Sequence, residues 1–228
     1  LYFIYMKPLY DLKGKTAWIA GGRRIGQKTA VVLAQHGVNL IISYRKSKKE
    51  AEDVVKKVKK FEVKTLIIKA DVSSQRSVIT AVEEIKKQFK KIDILILMAS
   101  IFEPIKLMSI KGGDFKKNFD AHVLGTFWPI QASLDLMPAG GHIITVSDRT
   151  SISKPYAGYL PYAVTKGAVA HMTRVLAVEL GSRGIFINSI APGPILKPDN
   201  MSSAEWINVR RNSIVNYPIK DEDAVEEF

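Results

Sequence analysis

A tyrosine and a lysine, Tyr162 and Lys166, stand four residues apart in the run Tyr159-Leu160-Pro161-Tyr162-Ala163-Val164-Thr165-Lys166. On a helix that spacing puts both side chains on one face, one turn apart. A free phenol titrates near pH ~10 and a neighbouring ammonium favours its ionised form, so the pair is an acid whose proton can move near neutral pH. A packed aromatic followed by a solvated lysine has the same spacing, and the pair gains meaning only from the rest of the chain.

Phosphate chemistry has its own candidate in Gly21-Gly22-Arg23-Arg24-Ile25-Gly26. Glycines let a backbone approach a pyrophosphate closely, and a helix that opens after them presents free N–H groups and the positive end of its dipole. About 20 residues on, where an acidic residue would bind a ribose and select NAD, the chain reads Ser43-Tyr44-Arg45. An arginine there suits a 2′-phosphate, which favours NADP, and Arg23 and Arg24 add positive charge on the same side.

These residues need a scaffold, and the hydrophobic pattern supplies one. Short apolar runs over 15–20, 38–43, 64–70, 92–98, 142–147 and 185–190 predict strands. Between them, helical periodicity predicts helices from Ile25 to the stop at Gly37, over 51–58, 78–89 and 119–136, and from Tyr162 to about Leu180. Buried runs alternating with amphipathic helices mean βαβ units and a parallel sheet covered on both faces. The expected fold is α/β: a single-domain Rossmann fold, doubly wound, over residues 10–228. Residues 1–9 read as a tag remnant or N-terminal extension, with Met6 as the natural start.

Composition narrows the classes. No cysteine is present, which excludes disulfides and thiolate metal sites, and His36, His122, His142 and His171 lack metal-ligand spacing. With no signal peptide and no long apolar run, the chain reads as cytoplasmic and free of the membrane. The net charge of +12 invites nucleic acid, yet the lysines over 46–69 and 86–91 alternate with acidic residues on amphipathic helices, as on solvated faces. No nucleic-acid partner is expected.

Ala20-Gly21-Gly22-Arg23-Arg24-Ile25-Gly26, Asp71-Val72, Leu97-Met98-Ala99-Ser100, Tyr162-x-x-x-Lys166 and Ala191-Pro192-Gly193-Pro194-Ile195 stand in register. Together they resemble a short-chain dehydrogenase/reductase over roughly residues 10 to 225. The resemblance implies a Rossmann fold holding one nicotinamide cofactor, NADPH by the Arg45 signal, and a homo-oligomer, tetramer or dimer, whose long helices pair. It implies that Tyr162 is the general acid, and that Lys166 holds the nicotinamide ribose and assists Tyr162. Gly21, Arg23, Arg24, Ile25, Gly26, Tyr44, Arg45, Asp71, Val72, Ala99, Ser100, Pro192, Gly193 and Ile195 would line the cofactor.

Three departures from the family pattern carry information. Asp148 occupies the slot of the family serine, with Ser147 one before; His122 replaces an asparagine; Arg24 replaces a turn glycine. These swaps resemble the pteridine reductase and dihydromonapterin reductase branch, as do Ala99-Ser100-Ile101-Phe102 and Pro194-Ile195-Leu196-Lys197-Pro198. Phe102 and Asp148 are then the substrate residues, and His122 joins the catalytic candidates. Leu97-Met98 replaces the usual paired asparagines. The glycine turn is one residue short, the segment over 218–223 is compressed and the last strand is absent, which is expected to reflect missing residues rather than an altered site.

Reduction of a pterin-like ring by NADPH is the first reading, because a carboxylate accepts hydrogen bonds from the amino and ring N–H groups of a pterin and would repel charge developing on a ketone oxygen. A 3-oxoacyl-thioester or general carbonyl reductase is the second, with Ser147 meeting the carbonyl. A cofactor-binding regulator with weakened catalysis is the third.

Overall fold

The computed structural model describes residues 11–21, 24–151, 153, 155, 157–197 and 201–211. Six strands, β1 (Thr16–Gly21), β2 (Asn39–Tyr44), β3 (Thr65–Lys69), β4 (Ile94–Met98), β5 (His142–Val146) and β6 (Phe186–Ile190), form one parallel sheet in the order β3-β2-β1-β4-β5-β6. This is the doubly wound Rossmann arrangement, in which the strand order reverses between β1 and β4 and opens a crevice at the carboxyl ends of the strands.

Alternate side chains of β1 leave the sheet on opposite sides, so one apolar run feeds two cores. Trp18 and Ala20 join Ile41, Val82, Ile85, Leu95, Ile130, Ile143 and Leu180 on one side. Ala17 and Ile19 join Leu40, Ile42, Ala30, Ala34, Val54 and Val58 on the other. The first core is closed by α3 (Gln75–Gln88), α5 (Gly125–Ser133) and α6 (Leu160–Gly181), the second by α1 (Ile25–Gln35) and α2 (Lys48–Val58), all named with α4 (Gly112–Phe119) and α7 (Ser203–Arg211) in chain order. No described helix is long and apolar enough to cross a membrane.

Two helical regions depart from the sequence expectation. The helix expected over 119–136 begins instead at Gly112, where the backbone N–H of Lys111 donates to the Asp114 carboxylate at 2.8 Å. It passes through a π-helical turn, Asp120–Leu124, continues as α5 and ends in a 3₁₀ turn, Leu134–Leu136. Gly112 and Gly113 hid the start, and Pro129 inside α5 lacks the N–H of a regular helix. The unexpected α7 is announced by Ser202 and Glu205, which form a reciprocal cap: Glu205 N–H to Ser202 Oγ at 3.2 Å and Ser202 N–H to the Glu205 carboxylate at 2.9 Å. The 1–9 extension, Gly22, Arg23, the compressed stretch over 218–223 and the expectation of an absent last strand lie outside the described residues.

Candidate functional site

Every cluster singled out in the sequence, where described, lies at or just beyond a strand's carboxyl end or, for His122, Tyr162 and Lys166, on helices packed there. A cleft of about 450 Å³ opens between Gly21 and Gly26 at one end and Arg45, Lys46 and Ser47 at the other, with Asp71 and Ala99 on its wall. Gly21 has φ +84°, and a Cβ on it would lie 2.6 Å from the Ala99 backbone; one on Gly26 would lie 2.9 Å from the Gly21 carbonyl. Only glycine fits either place. Arg24, the N-cap of α1, makes no side-chain cap, and the first turn has no acidic residue, so the amide donors and dipole of that helix end suit an anion.

Arg45 lies across the mouth of this cleft with its guanidinium 3.9 Å from the Asp71 carboxylate. Asp71 is oriented by Ser73, whose N–H and hydroxyl donate to it at 3.1 and 2.6 Å. Tyr44 and Val72 line the cleft, and with Ile25 they pack partly against the cores. Ser100 lines the cleft beside Ala99. Pro192, Gly193 and Ile195 form the partly buried loop after β6; the Pro192 carbonyl accepts from Arg149 N–H at 3.2 Å, and Gly193 lies against the Arg149 side chain.

At the other end, Pro161 stands at the second position of α6, and Tyr162 follows in the same first turn. The Tyr162 hydroxyl donates to Asp148 Oδ2 at 2.6 Å, and Asp148 Oδ1 accepts from Thr150 N–H at 2.8 Å. Lys166 is 3% exposed, donates to the Val146 carbonyl at 2.7 Å and lies 5.9 Å from the Tyr162 ring centroid. Burial pushes its amine down to about 8, partly opposed by the Asp148 carboxylate. Phe102 stacks on Tyr159 at 4.3 Å and meets the Tyr162 ring edge-on at 4.8 Å. The resulting aromatic wall has one exposed member, Phe102.

A family model described as "Enoyl-(Acyl carrier protein) reductase" matches residues 19–227. The chain is 32% identical over 189 residues to an uncharacterized oxidoreductase, YhdF, of Bacillus subtilis, covering 82% of this chain and 65% of that protein's length. It is 30% identical over 219 residues to versicolorin reductase stcU of Emericella nidulans, covering 96% and 81%. A short-chain dehydrogenase from Burkholderia cenocepacia, solved with NADP, superposes with a TM-score of 0.85 at 29% identity, over 96% of this chain and 90% of that one. The chain belongs to the short-chain dehydrogenase/reductase family.

Within that family frame, three candidate site residues are held by contacts within the chain itself. Ser147, the alternative partner for a carbonyl, is 3% exposed and donates its hydroxyl to the Ile190 carbonyl at 3.2 Å, a bond that ties β5 to β6 and faces the sheet. Arg24 donates its guanidinium to the carbonyl of Lys197, so the arginine links the glycine turn to the loop after β6. His122 is 1% exposed, meets Tyr162 only ring to ring at 5.5 Å, and burial, helped by the nearby Lys166 charge, lowers its imidazole to about 3. A group that stays neutral across the working range is poorly suited to relay protons.

Lys46, Ser47 and Tyr159 were missed in the sequence. The first two extend the Arg45 signal, a basic pair followed by a serine just before a helix; Tyr159 precedes Tyr162 by three residues, the other helical neighbour spacing.

The Lys166 value carries a pH prediction. An amine held at about 8 is protonated below that pH and loses its charge as the pH rises through it. NADPH affinity of the free protein, followed by fluorescence titration, is expected to fall as the pH passes about 8, and Lys166→Arg is expected to remove that limb. An unchanged affinity up to a pH of about 10 contradicts it.

Proposed function

We propose that the chain is an NADPH-dependent reductase that adds a hydride and a proton across a C=N or C=O bond of a small planar substrate of the pterin type. The observation that carries the reading is the Tyr162 to Asp148 hydrogen bond of 2.6 Å beside buried Lys166, which puts an acid and a carboxylate side by side. The glycines without room for a Cβ and the uncapped α1 terminus fit a pyrophosphate, and Arg45, Lys46 and Ser47 fit a 2′-phosphate. NADPH held by these residues supplies the hydride.

Tyr162 gives its proton to the substrate nitrogen or oxygen as carbon accepts the hydride. Lys166 keeps positive charge close to the phenol as negative charge develops on it. Asp148 accepts the phenol hydrogen on one oxygen and Thr150 N–H on the other, and each oxygen keeps a lone pair that can accept from ring N–H or amino groups of the bound substrate. Phe102 offers a planar face for the ring. The protein is read as cytoplasmic and homo-oligomeric, without nucleic-acid or membrane partners.

A second reading is reduction of a 3-oxoacyl thioester or simple carbonyl; the description of the matching family model shares the acyl-thioester class, although the bond it names is an enoyl C=C. Following NADPH consumption with dihydrobiopterin, dihydrofolate and an acetoacetyl thioester separates the two. Turnover of a pterin is expected; turnover of the thioester alone overturns the first reading in favour of the second.

Cofactor choice is tested by Arg45→Asp, which is expected to weaken NADPH binding by roughly 10- to 150-fold, since hydrogen bonds to charged groups contribute about 1.5–3 kcal/mol, with little change for NADH. Equal dissociation constants for the two cofactors in the parent protein contradict the assignment.

A further inference from the structure

His122 sits in the π-helical turn Asp120–Leu124, a local widening of the helix that is frequent at functional sites. Its two ring nitrogens reach in opposite directions. Nδ1 lies 2.8 Å from Thr165 Oγ1, and the Thr165 hydroxyl lies 2.8 Å from the Pro161 carbonyl and 3.0 Å from that of Tyr162, the backbone of the turn that carries the acid. Nε2 accepts from Ile101 N–H at 3.1 Å, with the Ser100 hydroxyl at 3.1 Å and the Ile101 carbonyl at 3.2 Å around it.

One tautomer serves all of these contacts except that with the Ile101 carbonyl, which a bare Nε2 cannot bond. With hydrogen on Nδ1, His122 donates to Thr165, Thr165 donates to a carbonyl of α6, and Nε2 receives the Ile101 amide. The ring is thus a strut between α6 and the segment after β4. Phe102 follows Ile101 directly and stacks on Tyr159 while touching Tyr162.

We propose that His122 is a positioning residue that sets the place of Phe102 against Tyr159 and Tyr162, and so fixes how a planar substrate lies over the acid. The proposal rests on the reductase reading above. It makes His122 a determinant of substrate fit through Ile101 and Phe102, with no share in moving the proton.

Two amide variants separate the ends of the strut. In His122→Asn the short side chain reaches the position of Nδ1 and keeps the Thr165 bond while releasing Ile101; in His122→Gln the longer one carries an oxygen to the position of Nε2 and keeps an acceptor for Ile101. Amide hydrogen exchange at Ile101 and Phe102, read with cofactor present, is expected to quicken roughly tenfold in His122→Asn and stay near the parent rate in His122→Gln. With the substrate that the parent reduces, His122→Asn is expected to raise KM roughly 5- to 20-fold with kcat little changed, His122→Gln to restore it, and His122→Asn to add nothing in a Phe102→Ala background.

The exchange measurement needs no turnover, so failure to find a substrate strikes the reductase reading while the strut is still decided by exchange. Unchanged exchange in His122→Asn overturns the strut. A KM effect fully additive with Phe102→Ala overturns the route through Phe102, and a fall in kcat with a lost limb in its pH profile returns His122 to a proton-transfer role. Should either amide variant fail to fold, Thr165→Val cuts the α6 end of the strut and is read by the same exchange and KM measurements.

Discussion

Tyr162→Phe is expected to reduce turnover by ~10²–10⁴-fold, the usual contribution of a positioned general acid, while NADPH binds nearly as in the parent. The substitution removes one hydroxyl and keeps the ring, whose edge contacts with Phe102 at 4.8 Å and His122 at 5.5 Å depend on shape alone. Lys166 is held by the Val146 carbonyl and keeps its place. Asp148 loses its phenol partner but is only partly buried and retains Thr150 N–H, so water can take the vacated position. Steady-state kinetics with a separate cofactor titration checks the split. Turnover within about a factor of two of the parent means that the proton comes from another group, with Asp148 the first to test.

Asp148→Ser divides the two substrate readings. If the carboxylate grips ring N–H donors, losing it is expected to cost a pterin roughly 10- to 150-fold in kcat/KM, the equivalent of about 1.5–3 kcal/mol for a hydrogen bond to a charged group. A simple ketone is expected to be unharmed or improved, because a hydroxyl can donate to its oxygen where a carboxylate repels the charge that develops there. The quantity to measure is the ratio of the two kcat/KM values, mutant against parent. Equal losses for both substrates make Asp148 a cap of the turn after β5, a role compatible with its bond to Thr150 N–H.

Much of the frame was legible because it rests on apolar runs whose period is unambiguous. β1 is buried along its length, and its run ends in a glycine that has room for no side chain, so both the strand and the turn show in the sequence. Tyr162 and Lys166 show as helical spacing, and the pair took its meaning from the glycine turn and the strand pattern around it. The α4 start was obscured by two glycines, and α7 by the brevity of its apolar face, although its Ser202 and Glu205 cap was readable. Ser147 and Asp148 are neighbours just past β5, and sequence alone does not separate them; Ser147 bonds the Ile190 carbonyl while Asp148 accepts from Tyr162. The pairing of Phe102 with Tyr159 joins residues 57 apart through the packing of a loop on a helix, and no local pattern announces it.

Deuterium placed on the transferable position of the nicotinamide C4 and traced by mass spectrometry tests the reductase account most directly. One deuterium per product molecule, at carbon, with the accompanying proton drawn from solvent and the transfer suppressed in Tyr162→Phe, is the predicted result. NADPH that binds the cleft but leaves no label in any product from the pterin, folate or thioester panel would contradict it, and would make the chain a cofactor-binding protein that uses the fold without the chemistry.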